Sequence, residues 1–266
     1  MNNKAIGVFD SGLGGLTVVK EIKKVLSHED IIYLGDTARV PYGTRSKETI
    51  IKFSFQDASF LLKNKVKCII VACNTASANA SEELRNKLPV PVLDVIDPGV
   101  CGAVRSTRNK RIGVIGTRGT ILSHAYKKGI KKIDNSIEVF EESIPLFVPF
   151  IEEGEISGKL ITLLIKNSLS SLKNKKIDTL VLGCTHYPII EKGIAKELNM
   201  VRLVNPGVEL AKRLKTFLGE KKLETSRKRK GKVSFYVTDL TSRFINVASM
   251  FLGEKIKSKI SKINLE

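Results

Sequence analysis

The chain has no tryptophan and only three methionines, three histidines and four cysteines. No two cysteines form a CxxC pair, and no Cys/His cluster has the spacing of a zinc site. A zinc-built fold and a disulfide scaffold are therefore both excluded. No apolar run approaches the roughly 20 residues of a membrane span. Met1-Asn2-Asn3-Lys4 leads straight into a strand-like 5–9 stretch with no signal peptide, so a cytoplasmic protein with free thiols is expected. Acidic residues are scarce: 27 Asp and Glu stand against 45 Lys and Arg, a formal net charge of +18. The lysines are spread along the chain, and only Lys221–Lys232 is dense, with seven basic residues against Glu224. That segment reads first as a solvated loop. Contact with a nucleic acid is the weaker reading, since neither zinc-finger spacing nor interleaved aromatics support it.

What is present is an alternation of apolar runs and amphipathic stretches. Strands are predicted at 5–9, 30–34, 67–72, 92–95, 111–116, 136–140, 178–182, 201–204 and 233–238. Helices are predicted near 14–27, 46–64, 75–88, 119–131, 155–173, 187–198, 207–218 and 241–252. The strands are β-branched and almost wholly apolar, as strands buried on both faces are. The expected class is α/β with mainly parallel sheets.

An internal repeat organises these elements. Ile6-Gly7-Val8-Phe9-Asp10-Ser11 is answered by Ile112-Gly113-Val114-Ile115-Gly116-Thr117, 106 positions on. Ile69-Ile70-Val71-Ala72-Cys73-Asn74-Thr75 is answered by Leu180-Val181-Leu182-Gly183-Cys184-Thr185-His186, with the cysteines 111 positions apart. Asp97-Pro98-Gly99-Val100 is answered by Asn205-Pro206-Gly207-Val208, at 108. The constant order and offset imply two equivalent open sheets and a C-terminal extension, whose strand and helix are expected to join the first half. The two Pro-Gly segments read as crossover points between the halves.

In open parallel sheets ligands sit beyond the carboxyl ends of the strands. There the chain places Asp10-Ser11, Asp36-Thr37 and Cys73-Asn74-Thr75 in the first half, and Gly116-Thr117, Glu152-Glu153 and Cys184-Thr185-His186 in the second. Asp10-Ser11-Gly12-Leu13-Gly14-Gly15 is neither a P-loop nor a dinucleotide fingerprint, because no Gly-Lys-Ser/Thr occurs and Thr17 stands where a third glycine belongs. It fits either an anion at a helix N-terminus or a plain helix cap. Cys73, where a strand hands over to a helix, is expected to have a depressed pKa. His186 fits the first turn of a helix and can bond the thiol or the substrate. Tyr42-Gly43 reads as a lid or a turn, and Glu152 as a cleft acid or an exposed one.

Two thiols facing one site from opposite sides suit inversion at an α-carbon: one removes the proton and the other returns a proton from the opposite face. Without an electron-sink cofactor, fixed donors must hold the carboxylate, and Ser11, Asn74, Thr75 and Thr185 are of the right type. At these residues the chain resembles the cofactor-independent aspartate/glutamate racemases, the glutamate enzymes most closely. The shared motifs are Asp10-Ser11-Gly12-Leu13-Gly14-Gly15, Asp36 with Pro41-Tyr42-Gly43, Cys73-Asn74-Thr75-Ala76-Ser77 and Leu182-Gly183-Cys184-Thr185-His186-Tyr187-Pro188.

The resemblance implies interconversion of L- and D-glutamate for peptidoglycan, with no cofactor and no metal, in a homodimer. It implies Cys73 and Cys184 as the two bases, with Asp10, His186 and Glu152 assisting. Asp10, Ser11, Tyr42, Gly43, Asn74, Thr75, Thr117, Thr120, Thr185 and His186 would hold the substrate. It implies two α/β domains related by pseudo-twofold symmetry with the site in the cleft between them: residues 1–97 plus 208–266, and 98–207 inserted. Aspartate racemisation is the nearest alternative. A basic binding protein on a racemase scaffold is another, against which both intact cysteines argue.

Overall fold

The computed structural model describes residues 1–241, 244–256 and 258–265. The first half runs β1 (Ile6–Asp10), α1 (Leu16–Val25), β2 (Ile31–Gly35), α2 (Lys47–Lys63), β3 (Cys68–Val71), α3 (Asn74–Lys87), β4 (Val92–Asp94) and α4 (Ile96–Ser106). The second runs β5 (Arg111–Gly116), α5 (Arg118–Ser123), α6 (Ala125–Ile133), β6 (Glu138–Ser143), α7 (Phe147–Glu152), α8 (Lys159–Lys173), β7 (Thr179–Gly183), α9 (Glu191–Glu197), β8 (Arg202–Val204) and α10 (Pro206–Glu220). β9 (Val233–Val237), α11 (Phe244–Leu252) and β10 (Ile260–Lys262) follow.

Two sheets result, ordered β10-β9-β2-β1-β3-β4 and β6-β5-β7-β8, with every pairing parallel. The repeat is visible in this order, since β2-β1-β3-β4 and β6-β5-β7-β8 are the same arrangement. Each echo in the sequence occupies the same place in its sheet. β1 and β5 are central, β3 and β7 end just before the cysteines, and β4 and β8 precede the Pro-Gly segments. The inner strands are buried along their length, which is why they read as unbroken apolar runs.

The crossovers are helical. The chain passes from the first sheet to the second through α4 and returns through α10, so both Pro-Gly segments lie in first helical turns. Proline is tolerated there because those N–H groups have no partner within the helix. Asp94 Oδ1 accepts from the N–H of Ile96 at 2.7 Å, and Asn205 Oδ1 from that of Gly207 at 2.9 Å, closing both starts. The two helices pack on each other, and an added Cβ at Gly99 would stand 3.1 Å from Pro206 Cβ.

Other elements shift for local reasons. The helix expected at 119–131 breaks at His124, which takes a left-handed φ of 55° between α5 and α6. The helix expected from 155 starts at Lys159, because Gly158 has a φ of 96°. Glu152 closes a short helix, α7, where no helix is predicted from sequence. Tyr187–Ile190 form a 3-10 turn ahead of α9, with His186 as its cap. β6 lies two or three residues later than expected, and β10 is a three-residue edge strand without alternation to announce it. Of the helix expected at 241–252, residues 242 and 243 lie outside the described residues. β9 pairs with β2, so the extension joins the first sheet.

One apolar core joins α1, α10 and α11 on one face of the first sheet with α7, α8 and α9 on one face of the second, and two further clusters lie on the opposite faces, against α2 and α3 and against α4 and α6. Lys67 and Glu29 form a buried ion pair at the far end of the first sheet. Lys67 Nζ also donates to the carbonyls of Asn2 at 3.1 Å and Leu223 at 2.8 Å, and Glu29 Oε1 accepts from Thr225 N–H. Arg227 and Arg229 both engage Asp30. The basic 221–232 segment is thus tied down, and two of its cations are paired within the chain. No helix among the described residues is long and apolar enough to cross a membrane.

Candidate active site

The loops leaving β1, β3, β5 and β7 converge on one cleft of about 350 Å³ between the sheets. Ser11, Tyr42, Gly43, Cys73, Asn74, Thr75, Thr117, Glu152, Cys184, Thr185 and His186 all line it. Asp10 and Thr120, the other expected residues, are buried immediately behind that wall.

Cys73 caps the N-terminus of α3, and its sulfur accepts from Ala76 N–H at 3.5 Å. Its thiol points to Ser11 Oγ, also at 3.5 Å. The expected depressed pKa is not found. Burial pushes the thiol up to about 12, and the neighbouring Asp10 carboxylate adds to the rise. The hydrogen bonds from Ser11 and from the helix N-terminus pull the other way without overcoming it. A thiol that keeps its proton suits the donor of a two-thiol pair.

The Cys184 side is built differently. His186 Nδ1 stands 3.7 Å from Cys184 Sγ, and His186 Nε2 lies 2.9 Å from Glu152 Oε1 on the last turn of α7. Burial alone would lower the imidazole's proton affinity. The bonds to Cys184 and Glu152 outweigh burial and raise its pKa to about 10. The ring of Phe251, from α11, meets the imidazole edge-on with centroids 4.9 Å apart. The C-terminal extension therefore supports the site directly.

Asp10 lies between the two. Its Oδ1 accepts from Gly12 N–H at 2.9 Å, and its Oδ2 is buried. Burial raises its pKa, opposed by attraction from His186. Gly14, in the turn after it, has a packing reason of its own. An added Cβ at Gly14 would lie 2.1 Å from Thr185 Oγ1 and 2.6 Å from His186 Nδ1. Thr17 Oγ1, one turn on, donates to the carbonyl of Thr185 at 2.9 Å. The β1 loop is thus the seat of the Cys184 segment.

Thr75 Oγ1 and Thr117 Oγ1 meet at 2.8 Å across the two halves, and Thr120 Oγ1 lies 3.1 Å from Thr117 Oγ1. Tyr42 lines the cleft but its side chain is not a free lid. The phenol oxygen lies within hydrogen-bond distance of both Asp36 Oδ2 and Asp57 Oδ2, its one hydrogen shared between the two carboxyl groups, and burial lifts its pKa far above the ordinary value. Arg39 bonds the same two carboxylates. Asp57 was missed in the sequence, though it falls on the buried stripe of α2 with Ile50, Ser54 and Leu61, and a carboxylate on such a stripe is itself a signal. Arg118, at the start of α5, also lines the cleft. No group of three His, Cys, Asp or Glu side chains among the described residues could hold a metal ion.

Two parallel sheets of one topology, closing on a cleft with a cysteine from each, define the class: an isomerase of the racemase type. The chain belongs to the Asp/Glu/Hydantoin racemase family, whose profile matches residues 6–214. It is 47% identical to the glutamate racemase of Geobacter metallireducens, over 99% of this chain and 97% of that protein. It is 45% identical to that of Aquifex aeolicus, over 96% and 97%. The crystal structure of glutamate racemase from Francisella tularensis in complex with D-glutamate superposes with a TM-score of 0.94 at 44% identity, covering 100% of this chain and 99% of that one.

Proposed function

We propose that this protein interconverts L- and D-glutamate by a two-base mechanism, with Cys73 and Cys184 on opposite faces of the α-carbon. The observation that carries the reading is the single cleft with one cysteine from each half, each on its own proton partners. In one direction the Cys184 thiolate removes the α-proton and the Cys73 thiol delivers its own to the other face. In reverse the roles exchange. The Cys73 thiol already holds its proton, and protonated His186 is the counter-charge for a Cys184 thiolate, with Glu152 holding the far side of the ring. Asn74 binds a carboxylate of the substrate throughout, and the negative charge that builds on proton removal is met by donors from Ser11, Thr75 and Thr185. Tyr42 and Gly43 contribute through their backbone, since the phenol is engaged. Thr117 and Thr120 hold Thr75.

Glutamate is preferred to aspartate because the full-length relatives are glutamate enzymes. The product would supply D-glutamate to peptidoglycan in the cytoplasm, with no cofactor. The sheet memberships support residues 98–207 as an inserted domain, and a homodimer follows the family.

The test is incubation of the purified protein with L-glutamate in deuterated water without pyridoxal. Circular dichroism should decay to zero while deuterium enters the α-position. Retained optical activity overturns the proposal.

A further inference from the structure

Tyr126 was not among the residues singled out from sequence, yet it touches both cysteine segments. Its hydroxyl donates to Asn74 Oδ1 at 2.6 Å, and Asn74 is the residue after Cys73. Its ring lies against Gly183, the residue before Cys184: an added Cβ there would stand 3.3 Å from Tyr126 Cε2. On another side an added Cβ at Gly99 would stand 3.1 Å from Tyr126 Cε1. The ring is fully buried in this slot.

We propose that Tyr126 is a positioning residue that fixes the side-chain amide of Asn74 with its nitrogen toward the cleft, as a donor to an anionic oxygen of the substrate. The inference rests on the racemase reading above. The argument is one of proton accounting. A buried hydroxyl must place its hydrogen on an acceptor, because an unmet buried donor loses its hydration with nothing in return. Burial pushes the phenol's pKa far up, so the hydrogen is present at every working pH. Asn74 Oδ1 is its only acceptor among the described residues. The carbonyl end of the amide is thus claimed, and the NH2 end points away from Tyr126. Among the described residues nothing in the chain accepts from that nitrogen, and Asn74 lines the cleft. A free amide would offer oxygen or nitrogen with equal ease, and an oxygen facing a carboxylate repels it. The phenol removes that choice. Because Tyr126 belongs to the second half and Asn74 to the first, the donor is set only when the halves are closed on each other.

Tyr126→Phe tests this, because it keeps the ring between Gly99 and Gly183 and deletes only the hydroxyl. KM for L- and for D-glutamate should rise about tenfold, with kcat changed less than about threefold, the pattern of a contact made equally in ground and transition states. Asn74→Ala should give a similar rise, and the double variant no more than the larger single effect. Asn74→Asp gives a second arm. Its carboxylate still accepts from Tyr126, so the melting temperature should stay near wild type, while an oxygen now faces the cleft and calorimetric affinity for D-glutamate should fall at least about tenfold. An unchanged KM in Tyr126→Phe, additive losses in the double variant, or wild-type affinity in Asn74→Asp overturns the inference while leaving the racemase reading intact. A role in packing alone would lower the melting temperature and active fraction at constant KM, and would equally overturn it. A wild-type protein inert toward glutamate overturns the underlying reading and this inference with it.

Discussion

Glu152 Oε1 sits 2.9 Å from His186 Nε2, on the side of the ring away from Cys184 Sγ. The pair makes the Cys184 side a relay of sulfur, imidazole and carboxylate, whereas the Cys73 side has, among the described residues, a serine hydroxyl and a helix N-terminus at hydrogen-bond distance. Replacing Glu152 by Gln removes the charge that helps hold the imidazolium. Because Glu152 acts through His186, the loss should be smaller than the ~10²–10⁴ of a direct proton-transfer group: about tenfold in kcat. The alkaline limb of the kcat profile should also move to lower pH. Initial rates of Glu152→Gln from pH 6 to 10 check both, and an unmoved limb contradicts the assignment.

The same pair has a stability signature. His186 holds its proton more tightly folded than unfolded, with a pKa of about 10 against an ordinary 6.5. Below about 6.5 both states are protonated and the stabilisation is complete. As pH rises toward about 10 the unfolded chain releases this proton first, and the stabilisation is lost. Urea midpoints should therefore fall between pH 6.5 and 10. Glu152→Gln should be less stable at pH 6 and show a shallower fall.

Each cysteine is required for inversion, so Cys73→Ala and Cys184→Ala should each lower racemisation by at least about 10³-fold with the circular dichroism of the fold unchanged. A single thiol can still exchange the α-proton on one face. Any residual deuterium uptake should be confined to one enantiomer in one variant and to the other enantiomer in the second. Uptake from both enantiomers in either variant would contradict the two-sided arrangement.

The cysteines, their polar followers and the repeat were legible because each is a local pattern: an apolar run, a sulfur, then donors. The α/β class with mainly parallel sheets followed from the same runs. What stayed hidden depends on contacts between distant segments. Tyr126 sits in α6 only because His124 turns left-handed, and nothing in a helical pattern over 119–131 marks that break. Phe251 looks like any core aromatic until α11 is laid against His186. The Pro-Gly pairs marked the crossovers, but not that each proline lies in the first turn of a crossover helix, where it is tolerated. The depressed pKa expected for Cys73 failed since the helix N-terminus was visible in sequence and the burial was not.

Gly14 offers a test of the seat under Cys184. Alanine there would place a methyl 2.1 Å from Thr185 Oγ1, so the Cys184-Thr185-His186 segment must move. The forced shift should cost about 1–3 kcal/mol of stability. It should also lower kcat by more than tenfold, since misplacement of about 1 Å costs on the order of 10²-fold. Guanidinium unfolding and steady-state rates on the same preparation separate the two losses. Unchanged turnover would mean that the loop tolerates the methyl.

Lys67 separates stability from chemistry. Its side chain is fully buried and Glu29 is 3% exposed, far from the cleft at the opposite end of the first sheet. Lys67→Met keeps most of the apolar stem and removes the ammonium, stranding the Glu29 carboxylate and freeing the carbonyls of Asn2 and Leu223. Breaking a buried pair from one side costs about 3–5 kcal/mol. The melting temperature should fall sharply, while kcat per folded molecule at low temperature stays at the wild-type value. Lys67→Met with Glu29→Gln should recover part of the loss, because the carboxylate's desolvation is then removed while Gln Oε1 can still accept from Thr225 N–H. A double variant no more stable than Lys67→Met alone would show that packing, rather than the stranded charge, carries the effect.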